Sequence, residues 1–304
     1  MQAIAAGTWT APPDAPTSVV ATGGDAQASV AFTAPAFTGV PAGVTGYTVT
    51  SSPGSLTGTG ASSPIIVTGL TNGTAYTFTV TATGASGVGS PSAASNSVSP
   101  ANPAPTVIGQ SFGGGFYAGQ ISTAGNSVAD YYLIVGPVAS AENASKKYKN
   151  TNTSVPGAAS VIEGPQNTAD MVADGDATVY PAAHFCDGLT IGGFSDWYLP
   201  AKLEIEVCYY NLKPTTANNE TSANGINAYA VPARASKYTT GTPAQTSATS
   251  FQSTGTEDFL VSNYWTSTDP FASFGFVEYF GSGSIGYASK TGAYRVRAIR
   301  RIAV

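Results

Sequence analysis

Few residues in this sequence are spaced to do chemistry, and those that are lie beyond residue 160. Asp170, Asp174 and Asp176 crowd the stretch ADMVADGDAT. Carboxylates around a glycine suit a calcium ion, which takes roughly six to eight oxygen ligands. The spacing is not that of an EF-hand loop, however, and no Glu follows at the right distance, so solvated loop acids are the plainer reading. His184 and Cys186 form an H-x-C. On a helix their side chains diverge by about 200°; only an extended segment would let them share a zinc ion with Cys208, and burial for packing is the alternative. The single histidine excludes His-rich metal sites and argues against triad chemistry. Two cysteines are too few for a disulfide framework and read as two buried thiols or one bridge. Gly281, Gly283 and Gly286 spell G-x-G-x-x-G. A dinucleotide site needs a helix to follow, so that its N-terminus meets the pyrophosphate, whereas Tyr-Ala-Ser-Lys-Thr-Gly reads as strand and turn. A hairpin is expected there. No paired carboxylates or nucleophile–base arrangement stands out, so the expectation is a non-enzyme without a cofactor, calcium being the one weak candidate.

Two other groups could bind rather than react. Arg295, Arg297, Arg300 and Arg301 crowd the final strand, with Lys290 nearby. Strand alternation puts Arg295, Arg297 and Arg301 on one face, and Val296, Ala298 and Ile302 on the other. That stripe either faces an anionic partner or pairs locally with Glu204, Glu206, Glu257 or Asp258. Aromatic residues are also dense near the C-terminus: Phe271, Phe274, Phe276, Tyr279, Phe280, Tyr287 and Tyr294. Beside Ser, Thr and Asn they suit flat sugar faces, with core and subunit interface as the competing use. Phe271, Phe274, Tyr279, Tyr287, Arg295 and Arg297 are therefore binding-surface candidates, together with Trp9, the lone large side chain of a polar N-terminal arm. Asp196, Trp197 and Trp265 read as structural, with Asp196 capping a turn or the start of a helix.

The composition narrows the class. Only 10% of the 304 residues are charged and the net charge is −5, against about 25% charged in ordinary soluble domains. Before Asp130 the only ionised side chains are Asp14 and Asp25; the first Lys is Lys146 and every Arg lies at or after Arg234. Without a basic field, sequence-reading of nucleic acid is excluded as an expectation. The N-terminus has no basic n-region or apolar core for a signal peptide, and no run approaches the ~20 apolar residues of a membrane span. The expectation is a soluble chain, made in a cytoplasm and released by lysis, with no membrane insertion.

Residues 1–12 read as an arm and 13–100 as a β-sandwich. Short alternating strands are expected at Val19–Thr22, Ala28–Thr33, Tyr47–Ser51, Ile65–Val67, Thr74–Ala82 and Asn96–Ser99, separated by Gly/Asn turns. The stretches PDAPTSVVATGGDAQASVAFTAP, VTGYTVTSSPG, VTGLTNGTAYTFTVTAT and SNSVSP resemble a fibronectin type III domain. Leu70, Gly73 and Tyr76 match that family's L-x-x-G-x-x-Y corner, while Phe32 stands where the family's core Trp is usual. The resemblance implies an immunoglobulin-like all-β fold serving as spacer or platform.

Residues 101–109, ANPAPTVIG, read as a Pro-rich linker. From 110 to 304 the expectation is an α+β domain. Its only helices are expected at Thr178–Cys186 and Ala201–Leu212, with a polar loop at Lys146–Val155, an irregular stretch over 214–258 and terminal strands ending in Tyr294–Ile302. GGFSDWYLPAKLEIEVCYYNL resembles the G-G-x-x-D-W-x-L-P-x-x-x-E-L motif of the C-terminal domain of collagen-like bacterial adhesins. NYWTSTD and RVRAIRRI resemble that family's Y-W-S-S-T and terminal R-x-V-R-x-V-R strands. The resemblance implies a C-type-lectin-like fold, of a kind found in bacteriophage structural proteins, in which Trp197 and Trp265 are fold determinants.

The two resemblances and the composition lead to one expectation: a bacteriophage virion surface protein, such as a tail fibre, baseplate or head decoration component. It would attach to other virion proteins and to a host surface polysaccharide or protein, as a homo-oligomer. A decoration protein with a mainly stabilising role, or a bacterial glycan-binding adhesin, are the alternatives.

Overall fold

A computed structural model describes residues 10–101 and 103–304. The chain divides into two compact units, Met1–Ala104 and Pro105–Val304.

In the first unit, polar and apolar residues alternate along strands β1 (Thr17–Gly24), β2 (Gln27–Thr33), β3 (Val44–Ser52), β4 (Thr57–Gly60), β5 (Ile65–Thr68), β6 (Thr77–Gly84) and β7 (Gly87–Val88). The period of two sends one side of each strand inward. In β6, for example, Phe78, Val80 and Ala82 are buried between half-exposed threonines. Two sheets result, β1-β2-β5 and β4-β3-β6-β7. Val30, Val49, Val67, Phe78 and Val80 form the core between them. Phe32 sits in this core with its ring centroid 4.8 Å from that of Tyr47. Tyr76 is buried beside Leu70, and its hydroxyl accepts the Thr71 N–H at 3.1 Å.

The strand expected at Asn96–Ser99 is replaced by something looser. The segment beyond Val88 follows β6, with Ser92, Ser95 and Val98 meeting Val80, Phe78 and Tyr76. The Ser92 and Ser95 hydroxyls accept the Val80 and Phe78 N–H groups at 2.9 and 3.0 Å. Three residues thus advance for every two on β6, and hydroxyls stand in for the missing ladder carbonyls.

The second unit begins inside the stretch expected to be linker. From Pro105 the chain belongs to this unit, and Gly109 donates to the Tyr117 carbonyl at 2.8 Å. Strands β8 (Ser111–Phe112), β9 (Gly115–Ile121) and β10 (Tyr131–Val135) come first. They are followed by the short helix α1 (Val138–Ala141), β11 (Glu142–Lys147) and helices α2 (Gly164–Asp174), α3 (Pro181–Asp187) and α4 (Lys202–Leu212). Then come β12 (Ala230–Val231), a turn of 3-10 helix at Thr249–Phe251, β13 (Asn263–Trp265), β14 (Phe274–Tyr279), β15 (Ser284–Ser289), β16 (Ala293–Arg297) and β17 (Ile299–Ala303). One sheet runs β12-β9-β10-β17, with β8 on β9; the other runs β11-β16-β13-β14-β15.

The expected terminal strand is therefore two strands in two sheets. The switch falls at Ala298, whose N–H donates to Ala141 and whose carbonyl accepts from Gly136. Helix α2 is an addition to the two expected helices. Its buried side holds Asn167 and Thr168 beside Met171, so no apolar stripe marks it. Thr168 compensates by exchanging hydrogen bonds with the Leu199 backbone, and Asn167 donates to the Ser160 carbonyl at 2.7 Å. Lys146–Val155 begins on β11 and is held by buried cations: Lys149 Nζ donates to Ser154 and Lys290 Nζ to Thr153. No helix among the described residues is long and apolar enough to cross a membrane.

Tyr76→Phe leaves the Thr71 N–H without its acceptor and costs about 1 kcal/mol. Calorimetry of the whole chain should show the transition of the first unit lowered by a few degrees and that of the second unchanged.

Candidate functional site

The arginines of the last two strands are structural. Arg297 is fully buried. Its Nε donates to the Gly136 carbonyl at 2.9 Å, Nη1 to the Glu257 carbonyl at 2.9 Å, and Nη2 meets the Glu257 carboxylate at 3.0 Å. Glu142 lies 2.7 Å from Arg295 and 3.5 Å from Arg297. Arg300 grips Asp196 bidentately at 2.7 and 2.9 Å, and Arg301 spans Glu204 at 2.8 Å and Glu163 at 2.9 Å. The positive stripe expected of Arg295 and Arg297 is thus absent as a binding surface, because each guanidinium has a carboxylate of its own. Of the four expected partners, Glu204 and Glu257 serve; Glu206 pairs instead with Arg234. Asp196 is an arginine partner rather than a cap. Below it, Trp197 is buried with its indole N–H on the Phe194 carbonyl, and Trp265 is buried with its own on Lys146.

The acidic cluster does not converge. Asp170 and Asp174 lie on α2, where Asp170 accepts from Gln166 and Asp174 from the Tyr180 hydroxyl. Asp176 caps its own turn through Thr178 and Val179. Among the described residues no three His, Cys, Asp or Glu side chains gather as a metal-holding group. His184 hydrogen-bonds the Gly175 carbonyl at 2.7 Å. Cys186 and Cys208 are free buried thiols in separate clusters of the core, which excludes both the bridge and a shared zinc ion. Gly281 and Gly283 sit in the turn between β14 and β15. Gly283 has φ +70° and lies against the Tyr209 ring, where a side chain would not fit. Trp9 lies outside the described residues.

One solvent-exposed patch of the second unit is aromatic. Strand register pairs Phe274 with Ser289, Phe276 with Tyr287 and Glu278 with Ile285 across β14 and β15, placing all six on one face of the hairpin. Phe271, Phe274 and Tyr287 are 56%, 45% and 57% exposed. With Ala272 and Ser273 they line a shallow apolar hollow of about 580 Å³. The rings form a row: Phe271 to Tyr287 is 5.4 Å between centroids, Tyr287 to Phe276 is 4.9 Å, and the Lys202 ammonium stands 4.6 Å over Phe276. Tyr279 is not part of it. It lies on the opposite face of β14, half-buried against Gly281. The arrangement offers exposed π-faces beside hydroxyls and one cation, which stacks flat ligands and fixes one negative group.

Glu278 ends the same strand face under α4. It is fully buried, and neither carboxylate oxygen has a hydrogen-bond donor. Desolvation, then the Glu206 charge, pushes its carboxyl well above the usual carboxylate range, against the pull of Lys202. Sequence reasoning counted Phe276 among the C-terminal aromatics but not among the binding-surface candidates, and passed over Glu278 and Lys202. A lone acid among the apolar residues of FGFVEYF was the available signal for Glu278, whereas nothing local announces Lys202.

Two outcomes follow. Arg297→Ala leaves the half-buried Glu257 without its cation and the Gly136 carbonyl without its donor, and should cost about 3–5 kcal/mol, read by urea unfolding of the second unit through tryptophan fluorescence. For Glu278, whose native carboxyl holds its proton longer than the unfolded one, stability falls as pH rises from the unfolded value toward the native one. Glu278→Gln should therefore be more stable than the parent at neutral pH, by about 1–3 kcal/mol, with the gap closing below pH ~4. Urea midpoints across pH measure this.

Residues 14–98 match the fibronectin type III domain family. Similar solved structures include titin kinase and its flanking domains, at 24% identity over 29% of this chain and 17% of that one, with a TM-score of 0.27. The chicken CNTN1 FN1-FN3 domains match at 19% identity over 41% of each chain, with a TM-score of 0.27. The rat CD45 extracellular region, domains d3-d4, matches at 19% identity over 30% of this chain and 51% of that one, with a TM-score of 0.26. The chain thus spans about half or less of the length of each of these three structures. No curated protein matches it. With its two facing sheets and its tyrosine-pinned corner, the segment 14–98 is a fibronectin type III domain.

Proposed function

We propose that the protein is a non-enzymatic surface component of a bacteriophage virion. In this reading the fibronectin type III domain is a spacer, and the second unit, a C-type-lectin-like α+β domain, carries attachment to the host envelope. The observation that carries the reading is the exposed aromatic row on β14 and β15. It stands in a unit whose arginines are all held by carboxylates, so the arginine charge that could have met a partner is occupied within the fold while the aromatic row stays exposed. The buried tryptophans of the two adhesin-like motifs and the Asp196–Arg300 clasp support the C-type-lectin-like reading, because they make those motifs framework and free the hairpin for binding. The site would face a host surface polysaccharide or protein, while other virion proteins hold the rest of the chain. Copies of the chain assembled on a particle would multiply weak contacts by avidity.

The test is adsorption. Particles carrying Tyr287→Ala should assemble in normal yield with unchanged heat stability, yet adsorb to host cells about tenfold more slowly, the loss of a buried aromatic contact. Particles that do not contain the chain would overturn the proposal. So would variant particles that adsorb normally, and particles that lose heat stability instead mark a reinforcing decoration protein.

A further inference from the structure

The aromatic row has a charged end, and that end narrows its ligand. Lys202 opens α4, and its ammonium has no carboxylate within 4 Å among the described residues, whereas every arginine of the unit has one. The nearest acid along the strand face is Glu278, buried and shut off from solvent. Burial pushes its carboxyl toward the neutral form against the pull of Lys202, so the ammonium has no ion-pair partner in contact. The cation therefore sits at one end of a line of rings spaced at 5.4 and 4.9 Å, steps comparable with the length of a sugar ring. Ser273 and Ser289 flank the line, and the Ser289 hydroxyl shares only a 3.0 Å contact with Thr291 and a long one with Asn152.

The area also selects the occupant. Aromatic side chains present about 150–250 Å² each, and half of that on three rings amounts to some 300 Å². A stable protein interface needs about 800 Å² per partner. The row is too small for a second copy of the chain and suits two or three sugar units.

We infer that Phe271, Tyr287, Phe276 and Lys202 form a subsite for an acidic polysaccharide, the sugar rings stacking on Phe271 and Tyr287 and one carboxylate pairing with Lys202 Nζ. The inference rests on the attachment reading above and names its ligand class. Stacking supplies affinity shared with neutral glycans, and the ammonium supplies preference for acidic ones.

The experiment titrates the whole purified chain with oligogalacturonate and with its methyl ester, which has the same backbone without the charge. The acidic oligomer should bind about fivefold tighter, the scale of one exposed ion pair. That preference should vanish near 1 M salt, where screening acts within ~3 Å. Lys202→Gln should abolish the preference while keeping binding of the ester. Tyr287→Ala should weaken both by about tenfold, with an unchanged circular dichroism spectrum. Binding of neither oligomer overturns the inference, as does a preference that survives Lys202→Gln. Sedimentation showing a dimer that Tyr287→Ala dissolves would assign the row to self-association instead. If adsorption depends on Tyr287 but neither oligomer binds, the ligand class is wrong and the attachment reading stands.

Discussion

The second unit depends on Arg297. It is a fully buried guanidinium at the end of β16, one residue before the chain changes sheets, and it bonds to Gly136, Glu257 and Glu142 from three distant segments. A buried charge is costly unless it is paired and hydrogen-bonded on all sides, so each of these segments is held where the guanidinium requires it. Gly136 belongs to the junction of β10 and α1, Glu142 starts β11, and Glu257 closes the long irregular region. Arg295, Arg300 and Arg301 extend the arrangement to Asp196, Glu163 and Glu204. The final two strands thus tie both sheets and the start of α4 to one another through ion pairs as well as through backbone ladders.

Charge used in this way is not available for recognition. Glu204 shows the consequence: buried at the first turn of α4, it accepts from Tyr198, Ala201 and Arg301 together. Lys290 does the same for the 146–155 segment, its ammonium buried against Asp269 and Thr153. One face of the β14–β15 hairpin stays partly open to solvent. There strand register places Phe274, Phe276 and Tyr287 side by side, and Lys202 ends the row.

The first unit was readable because its alternation is nearly uninterrupted and its corner residues, Leu70, Gly73 and Tyr76, have one structural use. The exceptions have physical causes. The stretch TGTG of β4 has no apolar residue to reveal a period, and the Ser92–Ser95 segment bonds β6 through hydroxyls, which leave no strand pattern. In the second unit α4 and the terminal hairpin were legible, while β11 and the switch between β16 and β17 were not, and α2 was hidden because Asn167 and Thr168 fill buried positions that ordinarily hold apolar residues. The density of arginine was visible; its partners were not, since Glu142 and Arg295 are 153 positions apart. For the same reason the aromatic hairpin could be located from sequence, but its ammonium, on a helix some seventy residues earlier, could not.

The proposed attachment role, with recognition on the aromatic row and its Lys202 while the arginines hold the fold, is tested most directly by hydroxyl-radical footprinting of whole particles with and without host envelope fragments. Phe271, Phe274 and Tyr287 should be labelled on free particles and protected when envelope is present. Equal labelling in both states, with protection falling on residues outside the hairpin, would contradict it.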